Sequence, residues 1–99
     1  MKKYLVEIWL PDEFSDEFTA HIPAQIEKVN ELMLNRTISS YTLTADRSRL
    51  WTTLSAEDES GVQAILDEFP LIEWMEYEIH ELMFHHESSA FIMPRFSLN

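Results

Sequence analysis

Residues 38–54 read ISSYTLTADRSRLWTTL, and this stretch decides the fold. Ile38 to Thr44 and Leu50 to Leu54 are rich in Thr, Tyr, Leu and Trp, the composition of strands, and Ala45-Asp46-Arg47-Ser48 between them is a turn. The stretch is therefore a β-hairpin. Working outward, each flank carries a helical pattern. On the amino-terminal side Phe14, Phe18, Ile22, Ile26, Val29 and Met33 recur at helical spacing. Ser15 or Asp12 is placed to cap that helix. Pro23 predicts a kink, or a short helix followed by a longer one. Asn35-Arg36 is the expected end, with Asn35 in the left-handed conformation. On the other side Ser55-Ala56-Glu57-Asp58 resembles a capping box, and Val62, Ile65, Leu66 and Phe69 give a one-faced helix that Pro70 stops. Outside both helices lie alternating runs, Lys3 to Leu10 and Glu73 to Leu82. The order strand, helix, strand, strand, helix, strand predicts an α+β, ferredoxin-like domain over residues 1–82, with a four-stranded antiparallel sheet and both helices on one face. Residues 83–99, with Phe84, His85, His86, Phe91, Ile92, Met93 and Phe96, lack periodicity and read as an arm docking on a neighbouring subunit.

The 99 residues carry 7 Lys and Arg against 18 Asp and Glu, a net charge of −11. Such a surface repels phosphate backbones and anionic lipid, which argues against nucleic-acid and membrane partners. An anionic small molecule would need Arg36, Arg47, Arg49 or Arg95 focused at a pocket mouth. Cysteine is absent, so thiolate chemistry and disulfides are out, and a single glycine, Gly61, leaves no phosphate-cradling loop. No apolar run approaches the roughly 20 residues of a membrane span, and Glu7 interrupts the amino-terminal apolar run too early for a signal-peptide core. The expectation is a soluble cytoplasmic protein. His21, His80, His85 and His86 show no metal-ligand spacing, so no metal or other cofactor is expected.

Strand parity then says what the uncovered sheet face must carry. If Tyr4, Val6, Ile8 and Leu10 face the helices, Leu5, Glu7 and Trp9 face away. In the last strand Met75, Tyr77, Ile79 and Met83 suit the helices, leaving Trp74, Glu76, Glu78, His80 and Leu82 opposite. With Leu50, Thr52 and Leu54 inward, Trp51 faces away as well. All three tryptophans would share the open face, a patch larger than monomers leave exposed. A second copy placing its own sheet against it is the simplest cover, so a homodimer or higher homo-oligomer is expected. Glu7, Glu76, Glu78 and His80 would then sit enclosed among tryptophans, the setting in which proteins make general acids and bases. The competing reading is a solvated acidic face on a non-catalytic binding or assembly module.

Phe69-Pro70-Leu71-Ile72-Glu73-Trp74-Met75-Glu76-Tyr77-Glu78-Ile79, followed by Leu82, His85 and Ser88-Ser89, resembles the muconolactone delta-isomerase family. The first strand ending Leu10-Pro11 and the element order are similar too. The resemblance implies paired sheets forming a dimeric α+β barrel within larger oligomers, no metal or organic cofactor, and a proton shift that moves a double bond in an unsaturated lactone acid. It places the family's acidic residue of the first helix on Gln25, and Glu87 where the family has proline or serine. The catalytic candidates are Glu7, Glu76, Glu78 and His80; the substrate-binding candidates are Trp9, His21, Gln25, Arg36, Trp51 and Trp74, with Arg36 as an anion anchor. A cofactor-free oxygenase is the third alternative.

Overall fold

The structure is a computed structural model that describes residues 1–86. Its elements are β1 (Lys2–Trp9), α1 (Asp16–Leu34), β2 (Ile38–Leu43), β3 (Arg49–Ala56), α2 (Glu59–Leu66), a short 3₁₀ turn (Ile72–Trp74) and β4 (Glu76–Glu81). The strands form one antiparallel sheet in the order β2-β3-β1-β4. This is the split β-α-β arrangement expected from the hairpin outward.

One face of the sheet and both helices enclose the core. Tyr4, Val6 and Ile8 from β1 and Leu50, Thr52 and Leu54 from β3 are buried there, as their parity requires. An irregularity between Ile38 and Ser40 inserts Ser39 as an extra residue, so Ile38 pairs with Leu54 and Tyr41 with Thr52. Both side chains thereby face the helices although they stand an odd number of residues apart. Thr52 is fully buried and donates its hydroxyl hydrogen to the Ser40 carbonyl at 2.8 Å, which satisfies both groups inside the core.

Several local expectations change. Helix α1 runs unbroken for 19 residues with Pro23 inside it. Its buried side chains are Phe18, Gln25, Val29 and Leu32, whereas Ile26 and Met33 point to solvent. Phe18 and Val29 are inward as the apolar pattern requires and Phe14 and Ile22 pack against the core, but Gln25 and Leu32 take the inward places expected of Ile26 and Met33. Ser15 caps the helix as expected, its hydroxyl accepting from the Phe18 amide at 3.1 Å. At the other end Arg36 (φ 68°), not Asn35, takes the left-handed conformation, and the Thr37 amide bonds back to the Leu32 carbonyl at 2.9 Å. Ser55 and Ala56 belong to β3; the cap of α2 is Asp58, which accepts from the Gly61 amide at 2.9 Å. The last strand starts at Glu76 rather than Glu73 because residues 72–74 form the 3₁₀ turn. Met83, expected inward, is fully exposed, and Phe84 is exposed beside it. The remaining arm residues, Glu87 to Asn99, including Ser88, Ser89, Phe91, Ile92, Met93, Arg95 and Phe96, lie outside the described residues, as does the expected docking of the arm. No helix among the described residues is long and apolar enough to cross a membrane.

Candidate functional site

Three rows of side chains cross the open face. Strand register aligns Thr42, Trp51, Glu7 and Glu78 in one row. A second row has Ser40, Thr53, Leu5 and His80, and a third has Arg49, Trp9 and Glu76. Strand parity and register therefore bring Glu7, Glu76, Glu78, His80, Trp9 and Trp51 to one surface, from strands far apart in the chain.

Glu7 is the hub. Its Oε2 accepts from Arg49 Nη1 at 3.0 Å, and its Oε1 lies 3.8 Å from His80 Nε2. Its side chain is only 20% exposed against 44% for His80, so the carboxylate sits inside and the imidazole faces outward. Glu78 completes the group: one ligand atom from each of Glu7, Glu78 and His80 lies within 4.8 Å of the others. Among the described residues these three are the side chains that could hold a cation, a set invisible in sequence spacing. Arg49 already supplies positive charge to Glu7, which competes with any such ion.

Arg49 also explains the tryptophans. Its guanidinium carbon lies 5.4 Å from the centre of the Trp9 ring and 5.6 Å from that of Trp51, within the range of cation–π attraction. Trp9 and Trp51 are half-buried, and the strongly exposed apolar residues lie elsewhere, Ile26 and Leu34 on the outside of α1 among them. The exposed three-tryptophan patch expected from parity does not form. Arg49 covers two of the rings within the chain itself, and its own Nε is buried without a hydrogen-bond partner.

Trp74 is the third ring, and it lies elsewhere. Held in the 3₁₀ turn, it meets Phe18 edge-on at 5.8 Å and His21 at 5.4 Å, packed on the helix side of the core. His21 Nδ1 donates to the Glu17 carbonyl at 2.7 Å, the preceding turn of its own helix. Gln25 is buried between α1 and the sheet: its Oε1 accepts from the Leu71 amide at 3.2 Å, and its Nε2 donates to the Tyr41 hydroxyl at 3.3 Å. Arg36 is exposed beside Lys3, Met33 and Ile38, toward the opposite end of the sheet from Trp9 and Arg49. His21, Gln25, Trp74 and Arg36 therefore do not join the Glu7 cluster. The sheet separates His21 and Gln25 from it, Trp74 stands just before β4 and borders a cleft with Trp9 and Glu76 without reaching Glu7, and the length of a strand separates Arg36.

The residues that the pattern understated are Arg49 and Tyr41. Arg49 is one of two arginines at the hairpin turn, with Arg47, and only the β1–β3 register sets it opposite Trp9. Its signal was the parity it shares with Trp51. Tyr41 reads as an ordinary strand residue until the irregularity at Ser39 turns it toward Gln25. Burial pushes the Tyr41 hydroxyl above its ordinary pKa, opposed by the hydrogen bond from Gln25.

No family model matches the chain, and no curated protein matches it in sequence. Among solved structures it superimposes on muconolactone isomerase with a TM-score of 0.68 at 18% identity, over 87% of this chain and 93% of that one. Identity at that level carries the architecture without the activity. The chain has the α+β, ferredoxin-like fold seen in muconolactone isomerase.

Proposed function

We propose that this protein is a cofactor-independent isomerase of the muconolactone isomerase type, catalysing a proton shift in a small unsaturated lactone or acid. The observation that carries the reading is the Arg49–Glu7–His80 array on the open face. A double-bond shift needs a base to take a proton from carbon, a donor or cation near the developing enolate, and return of the proton at another carbon. In this reading His80 is the accessible base, oriented by the inner carboxylate of Glu7. The imidazolium so formed gives the proton back at the other carbon, directly or by passing it to the carboxylate of Glu78, whose oxygen lies within 4.8 Å. The anion-anchoring role expected of Arg36 passes to Arg49, the arginine on that face, with Trp9 and Trp51 as flat apolar walls. Glu76, beside Trp9 in the register, rims the same surface.

An open face does not exclude water, so the reading includes a second copy covering it. The face carries exposed Glu76 and Glu78 on β4 and Arg49 on β3, opposite charges that a two-fold-related copy would bring against one another. The likeness to muconolactone isomerase supports this pairing. Gln25, at the family's acidic position, favours a second reading, a dimeric small-molecule-binding protein without turnover.

Muconolactone incubated with the protein in D₂O tests the proposal by proton NMR. Exchange at the carbon next to the carbonyl and growth of the isomer are expected. His80→Gln should reduce the rate by about 10²–10⁴-fold, the usual contribution of a positioned base. An unchanged rate in the variant removes His80 from the chemistry. Absence of both exchange and product, in protein that self-associates and binds the lactone, leaves the binding reading in its place.

A further inference from the structure

On the face of the sheet away from Glu7 and His80, a cavity of about 120 Å³ opens between α1 and strands β2 and β3. Apolar side chains make most of it, with Ile22, Leu50 and Met75 among the walls and the half-exposed Leu43 at the rim. No charged side chain among the described residues lines it. Among the described residues the polar side chains on the wall are Gln25 and Tyr41.

Those two groups are not equivalent. The Gln25 oxygen is committed to the Leu71 amide, and its NH₂ donates to the Tyr41 oxygen. The tyrosine oxygen is therefore an acceptor in that bond, and its own hydrogen is left over. That hydrogen has no acceptor among the described residues. A donor that is itself accepting a hydrogen bond is polarised and donates more strongly, most of all in apolar surroundings.

We propose that this cavity binds a small uncharged ring carrying one hydrogen-bond acceptor, with Tyr41 donating to the acceptor and Gln25 holding the phenol from behind. At about 120 Å³ the cavity is somewhat smaller than the roughly 150 Å³ apolar cavity that holds benzene, so a single ring is the upper limit and its substituent has to lie toward the open rim at the half-exposed Leu43. The lining also sets the charge of the ligand. A carboxylate would lie among apolar side chains without a cation and would lose its hydration uncompensated. A carbonyl or ether oxygen loses less and gains the Tyr41 hydrogen. The site is separate from the open-face array because the sheet lies between them, and it stands whether or not that array is catalytic.

The test uses the full chain with its methyl groups labelled for NMR, titrated with three probes of similar size: benzaldehyde, styrene and benzoate. Benzaldehyde and styrene differ chiefly in the acceptor oxygen. Benzaldehyde should shift the methyls of Ile22, Leu43, Leu50 and Leu71, with styrene about fivefold weaker, the equivalent of one hydrogen bond. Benzoate should leave these methyls unmoved. Tyr41→Phe should abolish the preference for benzaldehyde while leaving styrene affinity unchanged. Three results would overturn the proposal: no shifts at these methyls with benzaldehyde, equal affinity of the unmodified protein for benzaldehyde and styrene, or a preference that persists in Tyr41→Phe. So would nuclear Overhauser contacts in the free protein showing the cavity already filled by residues 87–99 or by a second copy. If Tyr41→Phe fails to fold, the benzaldehyde–styrene comparison in the unmodified protein decides alone.

Discussion

Replacing Gln25 by methionine isolates what one polar group does inside this core. The residue is 3% exposed, and its amide joins three segments: α1, which carries it, Tyr41 on β2 through Nε2, and the Leu71 amide through Oε1. Methionine keeps the length of the side chain and close to its volume while removing both bonds. Each is worth about 1 kcal/mol net, and the buried Leu71 N–H left without an acceptor raises the total to about 2–3 kcal/mol. Gln25→Ala adds a cavity and should cost a further 1–2 kcal/mol or about that. Urea unfolding followed by tryptophan fluorescence measures both. With a slope of about 1.5 kcal/mol per molar, usual for a small domain, Gln25→Met should lower the midpoint by about 1.3–2 M. A double-mutant cycle with Tyr41→Phe should show a coupling of about 0.5–1 kcal/mol, because the two side chains share one bond. A loss below about 0.5 kcal/mol for Gln25→Met would refute the reasoning, since a hydrogen-bonded amide that deeply buried has to be missed.

Three further outcomes follow from single features. Arg36→Gly should stabilise the protein by up to about 1 kcal/mol in the same unfolding assay, because Arg36 is held at φ 68° where a side chain is penalised. Unchanged or lowered stability would mean that its side chain contributes more than the backbone conformation costs. Asp46 accepts from the hydroxyls of Thr44 and Ser48, each at 2.7 Å, and from the Ser48 amide at 3.0 Å, which lowers its pKa from 3.8 to about 2. A depressed carboxylate stabilises the fold above its unfolded value, so the hairpin turn should lose this support as pH falls from about 4 toward 2. Carboxyl carbon NMR should place the midpoint near the lower value, and Thr44→Val should raise it. Arg49→Ala should expose Trp9 and Trp51, shifting their fluorescence to longer wavelength, and leave Glu7 without its cationic partner. An unshifted spectrum would show that the guanidinium does not cover the rings in solution.

The fold was legible because period and punctuation agree along the chain. Alternation from Tyr4 to Leu10, the Ala45–Ser48 turn and the stop at Pro70 each admit one local structure, and only the split β-α-β arrangement joins those elements compactly. The strand parities also proved sufficient to gather Glu7, Glu76, Glu78, His80, Trp9 and Trp51 on one face. Parity in a strand has two states, and burying Val6 and Ile8 leaves Glu7 no alternative.

Where the local signal was weak, tertiary contacts decided. The inward stripe of α1 passes through Gln25 and leaves Ile26 exposed, because two hydrogen-bond partners make the amide worth burying. Trp74 has the right parity for the open face yet sits in a 3₁₀ turn against Phe18 and His21, since alternation in sequence cannot reveal where a strand begins. Arg49 is the clearest instance. The sequence by itself determined that an arginine lies near the end of the hairpin turn and that tryptophans occupy outward positions. That this arginine lies between two of those rings and pairs with Glu7 depends on which residues of β1 and β3 stand opposite one another. Antiparallel register is set by the closing of the whole sheet around the core, and no local stretch of chain encodes it.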